Sequence, residues 1–237
     1  KDLILADNSA RQGGAVAAQD AKMTIDRVIM KHNTSLGKGS AIWFRAGEFI
    51  VNNSLIFQNY YQGDSENFND NASALAFSGG FYKLTNNTIA NNHGHPIWAF
   101  DQNPSVLLAN SILTWHDGQG SRPNFTPMSP VNVYLFNNII KRGINIGGVF
   151  NEYTNVFATA NYYFEPSFID TTNEDYRLSD QSAAISSGRN SIQNGFFNYP
   201  SDVNDFFYFE VNEIGKINIW FSLTLLSLLK KKSYQVS

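Results

Sequence analysis

Apolar residues in this chain come in runs of three or four, stop at an Asn, and start again. Phe49-Ile50-Val51-Asn52-Asn53-Ser54-Leu55-Ile56 returns as Lys83-Leu84-Thr85-Asn86-Asn87-Thr88-Ile89, as Leu107-Leu108-Ala109-Asn110-Ser111-Ile112-Leu113 and as Tyr134-Leu135-Phe136-Asn137-Asn138-Ile139-Ile140. Met23-Thr24-Ile25-Asp26-Arg27-Val28-Ile29 is a degenerate copy. With anchors at 26, 53, 87, 110 and 137, the intervals are 27, 34, 23 and 27 residues, the long one holding an insertion from Tyr60 to Asn71. Such runs are too short for a helix but suit solenoid strands. Asn tolerates the left-handed backbone that a sharp bend needs. Stacked coils would then place Asn53, Asn87, Asn110 and Asn137 in an amide ladder. The far side of each coil is expected at Ala15-Val16-Ala17, Ala41-Ile42-Trp43-Phe44, Ala74-Leu75-Ala76-Phe77 and Ile97-Trp98-Ala99-Phe100. No coil buries its own apolar face, so neighbours must stack to close a core. A sandwich would show hairpin spacing with turn pairs instead. The predicted class is all-β, a single-stranded parallel β-helix.

Composition narrows the partners. Charged residues are 16% of 237, hydrophobic ones 43%, and the net charge is -3. That describes an ordered chain long enough for a large core. With a pI near 5.8 and no basic run before the last residues, nucleic acid is not the expected partner. The polar surface comes from Asn, Ser, Thr, Gln and Gly, which suits carbohydrate. No cysteine is present, which removes disulfides, Cys-ligated metals and Cys nucleophiles. The first repeat is already under way at Asn8, so further coils are expected upstream.

A more specific phrase lies at Pro166-Ser167-Phe168-Ile169-Asp170, Asp175-Tyr176-Arg177-Leu178, Ser182-Ala183-Ala184-Ile185 and Gly188. It resembles the end module of bacterial choice-of-anchor Q proteins, right-handed β-helices of the pectate-lyase-like superfamily. Asp202-Val203-Asn204-Asp205 with Asn212-Glu213-Ile214-Gly215 resembles that family's closing phrase, and Asn8 to Val16 resembles repeats of polymorphic outer-membrane β-helix proteins. The family usually has Pro at the place of Ala183 and Asp at that of Ser186, and its closing phrase ends otherwise than Lys216-Ile217-Asn218. The resemblance implies a right-handed solenoid with a C-terminal end module, in a secreted or cell-surface bacterial protein. It implies no catalytic residue.

The expected organisation is β-helix coils over 1–150, final coils and end module over 151–215, and a hydrophobic and basic tail over 216–237. Ile217 to Leu229 is mostly apolar and is followed by Lys230-Lys231-Lys232. Two readings stand for it: a cap hiding the solenoid's open edge, or an anchor-like tail associating with a membrane. The run has 13 residues, fewer than the ~20 a spanning helix needs.

Candidate chemistry sits in the loops. Six residues after successive anchors come His32, Asn59, His93, His116 and Gly143, which would put His93 and His116 on consecutive coils. With Asp117 and Asp101 they form a candidate acid–base group for a glycosidic linkage. Arg45, His95, Trp98, Trp115, Tyr60 and Tyr61 are candidate substrate contacts; the tryptophans, with Trp43, also read as core or groove-lining packing. In the insertion, Asp64, Glu66 and Asp70 offer oxygen ligands for Ca²⁺, without EF-hand spacing. No other cofactor is expected. There is no phosphate-binding Gly loop, no G-x-S-x-G elbow and no H-E-x-x-H motif. The expected function is binding of a polysaccharide or surface glycan, or adhesion, by an extracellular monomer. A polysaccharide lyase or glycoside hydrolase is the alternative, which a close carboxylate pair on the strand face would favour.

Overall fold

In the computed structural model, residues 3–63, 72–100, 102–114, 131–141, 154–185 and 187 are described. Contacts divide the chain into two units, Lys1–Pro166 and Ser167–Ser237. The first is a parallel β-solenoid of about 4 turns. One sheet holds β1 (Leu3–Ala6), β4 (Val28–Lys31), β7 (Leu55–Phe57), β11 (Thr88–Ala90), β14 (Ile112–Thr114) and β16 (Ile139–Ile140), in that order. A corner sheet stacks β2 (Ser9–Ala10), β5 (Thr34–Ser35) and β8 (Tyr60–Tyr61).

The largest sheet is folded into two faces. Its strands β3 (Val16–Asp26) and β6 (Ile42–Asn52) are 11 residues long and run through both. The expected far-side strand and the following run are therefore one strand in these coils. The first half of β6 pairs with β9 (Ser73–Ser78), which pairs with β12 (His95–Phe100). The second half pairs with β10 (Phe81–Thr85), followed by β13 (Ser105–Ala109), β15 (Val131–Phe136) and β17 (Thr154–Thr159). The bend between the halves lies at Asp20 in β3 and at Ala46-Gly47 in β6, with φ of 51°, 49° and 117°. At Gly47 a Cβ would sit 2.2 Å from the Ala21 carbonyl oxygen, so only glycine fits.

Strand alternation fills the interior. Met30, Ile56, Ile89 and Leu113 point in from the short strands, against Ile42, Leu75 and Ile97 on one face and Val51, Leu84 and Leu108 on another. Phe44 stacks on Phe49 at 3.9 Å and Phe77 on Tyr82 at 4.3 Å between ring centroids. Aromatic pairs from adjoining faces thus stack through the core.

Two bends per coil carry the Asn pattern. At the first, Arg27, Asn53, Asn86, Asn110 and Asn137 are left-handed, with φ between 49° and 61°. The residue after each is turned inward, and there runs a buried ladder. The Val28 N–H donates to Ser54 Oγ, Ser54 N–H to Asn87 Oδ1, Asn87 N–H to Ser111 Oγ, and Ser111 N–H to Asn138 Oδ1. The column expected through Asn53, Asn87, Asn110 and Asn137 therefore divides in two. Asn87 belongs to the buried ladder, whereas Asn53, Asn110 and Asn137 form the bend itself. The anchors at 26 and 87 were each one residue out of phase, because Asn-Asn and Asp-Arg pairs do not reveal which member bends.

At the second bend Asp7, His32, Gln58 and Asn91 are left-handed. Each precedes a ladder Asn. Asn8 donates from its N–H and Nδ2 to Asn33 Oδ1, Asn33 does the same to Asn59, and Asn59 to Asn92, over 2.8–3.1 Å. In the second unit, β18 (Phe168–Asp170) and β19 (Asp175–Leu178) form an antiparallel hairpin. The Asp170 carboxylate accepts from the N–H groups of Thr172 and Asn173 at its turn.

Candidate functional site

The face built by the first halves of β3 and β6 with β9 and β12 turns one side to the core. Its other side is ordered by strand register. Ala17, Trp43, Ala76 and Trp98 are register partners on four successive strands, all with outward parity. The next outward row is Gln19, Arg45, Ser78 and Phe100. Large and small side chains alternate along the first row, so each tryptophan lies beside an alanine. Trp43 is half-buried and Arg45 exposed, whereas Trp98 is 8% exposed. No carboxylate among the described residues forms a salt bridge with Arg45.

Trp98 is held from two sides. His95, itself buried, meets its ring edge-on with centroids 5.7 Å apart. The Lys38 ammonium lies 4.5 Å from the Trp98 ring centroid and 5.2 Å from that of Phe100, a cation–π contact with both. Lys38 comes from the turn before β6, two strands away from Trp98. The Trp98 indole N–H is buried without a hydrogen-bond partner. A buried donor left unmade is costly, about 1–3 kcal/mol, and rare enough in folded proteins to mark a place of interest.

A second group lies at the corner. Tyr60 is 39% exposed, and its ring centroid is 6.3 Å from that of His93. The backbone places them in register, since His93 N–H donates to the Asn59 carbonyl. His93 Nδ1 lies 3.2 Å from the Tyr61 carbonyl oxygen, so it carries the proton when the ring is neutral. The Tyr61 side chain is buried.

Of the expected site residues, Arg45 and Trp98 share the outward face, with His95 packed beneath Trp98 and so away from it. Tyr60 and His93 share the corner. The series His32, Asn59, His93 does not consist of equivalent places. His32 is a left-handed bend residue with Gln58 and Asn91, Asn59 is a ladder residue, and His93 follows the ladder Asn92. The two bends lie five residues apart in each of these coils, at 27 and 32, 53 and 58, and 86 and 91, so the drift comes from the anchors at 26 and 87, each one residue out of phase with the bend. His116, Asp117, Asp101 and Trp115 lie outside the described residues, as do the Ca²⁺ candidates Asp64, Glu66 and Asp70. Among the described residues no three His, Asp or Glu side chains gather closely enough to hold a metal ion, and no helix is long and apolar enough to cross a membrane. Lys38 was not foreseen, because a lone Lys between two glycines carries no sequence signal. The Trp43–Ala76–Trp98 row was legible in principle, as the middle residues of three expected strands.

Compared with known proteins, the chain matches no family model, no curated protein and no solved structure.

Proposed function

We propose that this protein is an exported or cell-surface β-solenoid that binds carbohydrate on the outward side of β3 and β6. The observation that carries the reading is half-buried Trp43 beside exposed Ala17, Gln19 and Arg45 on paired strands, whereas Ala76, Ser78 and Trp98 further along the same face are buried. Aromatic rings offer flat apolar surface to the axial C–H face of a pyranose, and neighbouring polar groups bond its hydroxyls. A parallel sheet holds such a row rigidly, because its backbone is bonded on both sides. The resemblance of 166–188 to choice-of-anchor Q end modules supports a right-handed coil and a bacterial cell-surface setting. Polysaccharide or surface glycan is the partner on this reading.

The test is binding of the purified chain to a panel of pectins, alginates, glycosaminoglycans and neutral glycans, by affinity electrophoresis, beside Trp43→Ala. Retardation by one glycan class that Trp43→Ala loses is the expected result. Retention of binding by that variant would move the site elsewhere. The same mixtures, followed for unsaturated-uronate absorbance and new reducing ends, address the enzyme alternative. Unsaturated products would make the protein a lyase, and reducing ends alone a hydrolase.

A further inference from the structure

We infer that the sugar bound on β3 and β6 carries an anionic group, a carboxylate or a sulfate ester, and that Arg45 selects it. This rests on the carbohydrate reading and narrows it to charged glycans. Trp43 and Arg45 both lie on β6 with outward parity, and their register partners on β3 are Ala17 and Gln19. Residues two apart on a strand are separated by about 6.7 Å, so a pyranose resting on Trp43 brings a ring substituent beside Arg45. Ala17, Gln19 and Arg45 are exposed and Trp43 is half-buried, so this part of the face is open. Further along it, Ala76, Ser78 and Trp98 are buried.

The two largest groups on the open part donate and do not accept. The Arg45 guanidinium has five N–H donors and no acceptor, and the Trp43 indole has one donor and no acceptor. Both are idle: neither makes a hydrogen bond, an ion pair or a ring contact with any described residue. That separates Arg45 from Lys22, Arg27, Lys141 and Arg177, each of which meets a carboxylate. It separates Trp43 from Trp98, which His95 and Lys38 hold. One carboxylate stands close in register, that of Asp20, which follows Gln19, the partner of Arg45. It accepts from Gln19 Nε2 at 3.0 Å and forms no ion pair with Arg45. What this part of the face has to spare is therefore positive charge and N–H donors, beside an apolar ring. The hydroxyls of a neutral sugar need acceptors as much as donors. A carboxylate or a sulfate needs donors alone, and the planar fork of a guanidinium meets two of its oxygens at once.

The experiment measures affinity of the full chain for two pairs of polysaccharides, the members of each pair differing in charge. Polygalacturonate beside its methyl ester tests a carboxylate, and a sulfated galactan beside its desulfated form tests a sulfate. The charged member of at least one pair should bind roughly tenfold more tightly than its neutral counterpart. Its binding should weaken as salt rises, while that of the neutral member should not. The pair that shows the preference names the group. Arg45→Gln should erase the preference by weakening the charged member alone, and Arg45→Lys should keep part of it. Trp43→Ala should weaken both members. Arg45 is exposed, so its variants should fold, and circular dichroism checks this. Neutral members that bind as tightly as the charged ones in both pairs, or a preference that Arg45→Gln leaves intact, would overturn the anionic ligand while leaving carbohydrate binding in place. Silence on all four polysaccharides and on the wider glycan panel, with the fold intact, would overturn both.

Discussion

Asn59→Ala should be among the most damaging single side-chain truncations in the solenoid, although it removes no apolar surface. Asn59 is fully buried. Its Oδ1 accepts from the N–H of Asn33 at 3.0 Å and from Asn33 Nδ2 at 2.9 Å. Its Nδ2 donates to the carbonyls of Met30 and Phe57 and to Asn92 Oδ1, at 3.1, 3.0 and 2.8 Å. Alanine deletes all five bonds. Some partners keep others: Asn33 Nδ2 still reaches the Leu5 and Lys31 carbonyls, and Asn92 Oδ1 still accepts from the Asn59 N–H. The Asn33 backbone N–H keeps none among the described residues. One orphaned buried donor costs about 1–3 kcal/mol, and the remaining losses add about 0.5–1.5 kcal/mol each where no substitute forms, giving roughly 3–5 kcal/mol. For a unit of this size that is a fall in Tm of about 10 °C. Asn53→Ala is the control. It removes a half-exposed Asn from a left-handed bend, with its part-buried bonds to Asp26 Oδ1 at 2.8 Å and from Asn86 Nδ2 at 3.1 Å. Those partners can turn to water, so its cost stays at about 1–2 kcal/mol. Thermal unfolding followed by circular dichroism gives the comparison. Hydrogen exchange locates the effect, because coils of a solenoid open locally, and the Asn33 amide should lose protection first. Equal Tm losses in the two variants would refute the division into bend and ladder residues.

Four other outcomes follow from the same geometry. Asn87→Ala should lower Tm, since it strips the Ser54 N–H of its acceptor and the Val51 carbonyl of a donor at 2.8 Å; an unchanged melt would mean that the first-bend ladder is misplaced. Gly47→Ala should cost more than 3 kcal/mol or prevent folding, because its φ of 117° is strained for alanine and a Cβ would meet the Ala21 carbonyl, and soluble yield with a denaturant melt reads this directly. Burial pushes the Tyr82 hydroxyl well above its ordinary value, so folding favours the protonated phenol. That contribution is complete below about pH 10 and is lost as pH rises beyond it; absorbance of phenolate should show a tyrosine that ionises only on unfolding, and Tyr82→Phe should abolish it. In the second unit, the side-chain amide and backbone N–H of Asn173 hold the Asp170 carboxyl below its usual range. Its contribution is present above about pH 4 and disappears as pH falls through the lowered value; NMR titration should find that value restored toward normal in Asn173→Ala.

Much of the fold was legible because a solenoid repeats its physics. Short apolar runs, each followed by Asn, could only be strands that bend, and runs that cannot bury themselves had to stack. The far-side strands were placed correctly, down to Ala74-Leu75-Ala76-Phe77 within β9. What the sequence did not resolve was phase. Asn serves both as the left-handed residue and as the ladder residue, and Ser54 and Ser111 replace it in the ladder without changing the hydrogen-bond logic. A pair such as Asn86-Asn87 therefore leaves the choice open, and only the parity of the following strand decides it. At the second bend, Gln58-Asn59 and Asn91-Asn92 raise the same question, and His32-Asn33 answers it, since only His32 among these two lies at positive φ.

Phase also explains why the candidate site was the harder part to read. In a β-solenoid, coils differ in length while strands stay in register, so residues that share a site are related by strand pairing and not by sequence interval. Counting from the anchors grouped His32, Asn59 and His93, which occupy three different places in the coil. Pairing groups Trp43 with Trp98 although 55 residues separate them in the sequence. The alternation of the two middle strands was enough to predict that Trp43, Ala76 and Trp98 face the same way, and that Ile42, Leu75 and Ile97 face the core. A reading that assigns parity to each far-side strand first, and asks for chemistry only among residues of outward parity on adjacent strands, would have found this row. It would also have set His95 aside, because His95 shares its parity with Ile97 and Ala99, both of them core residues.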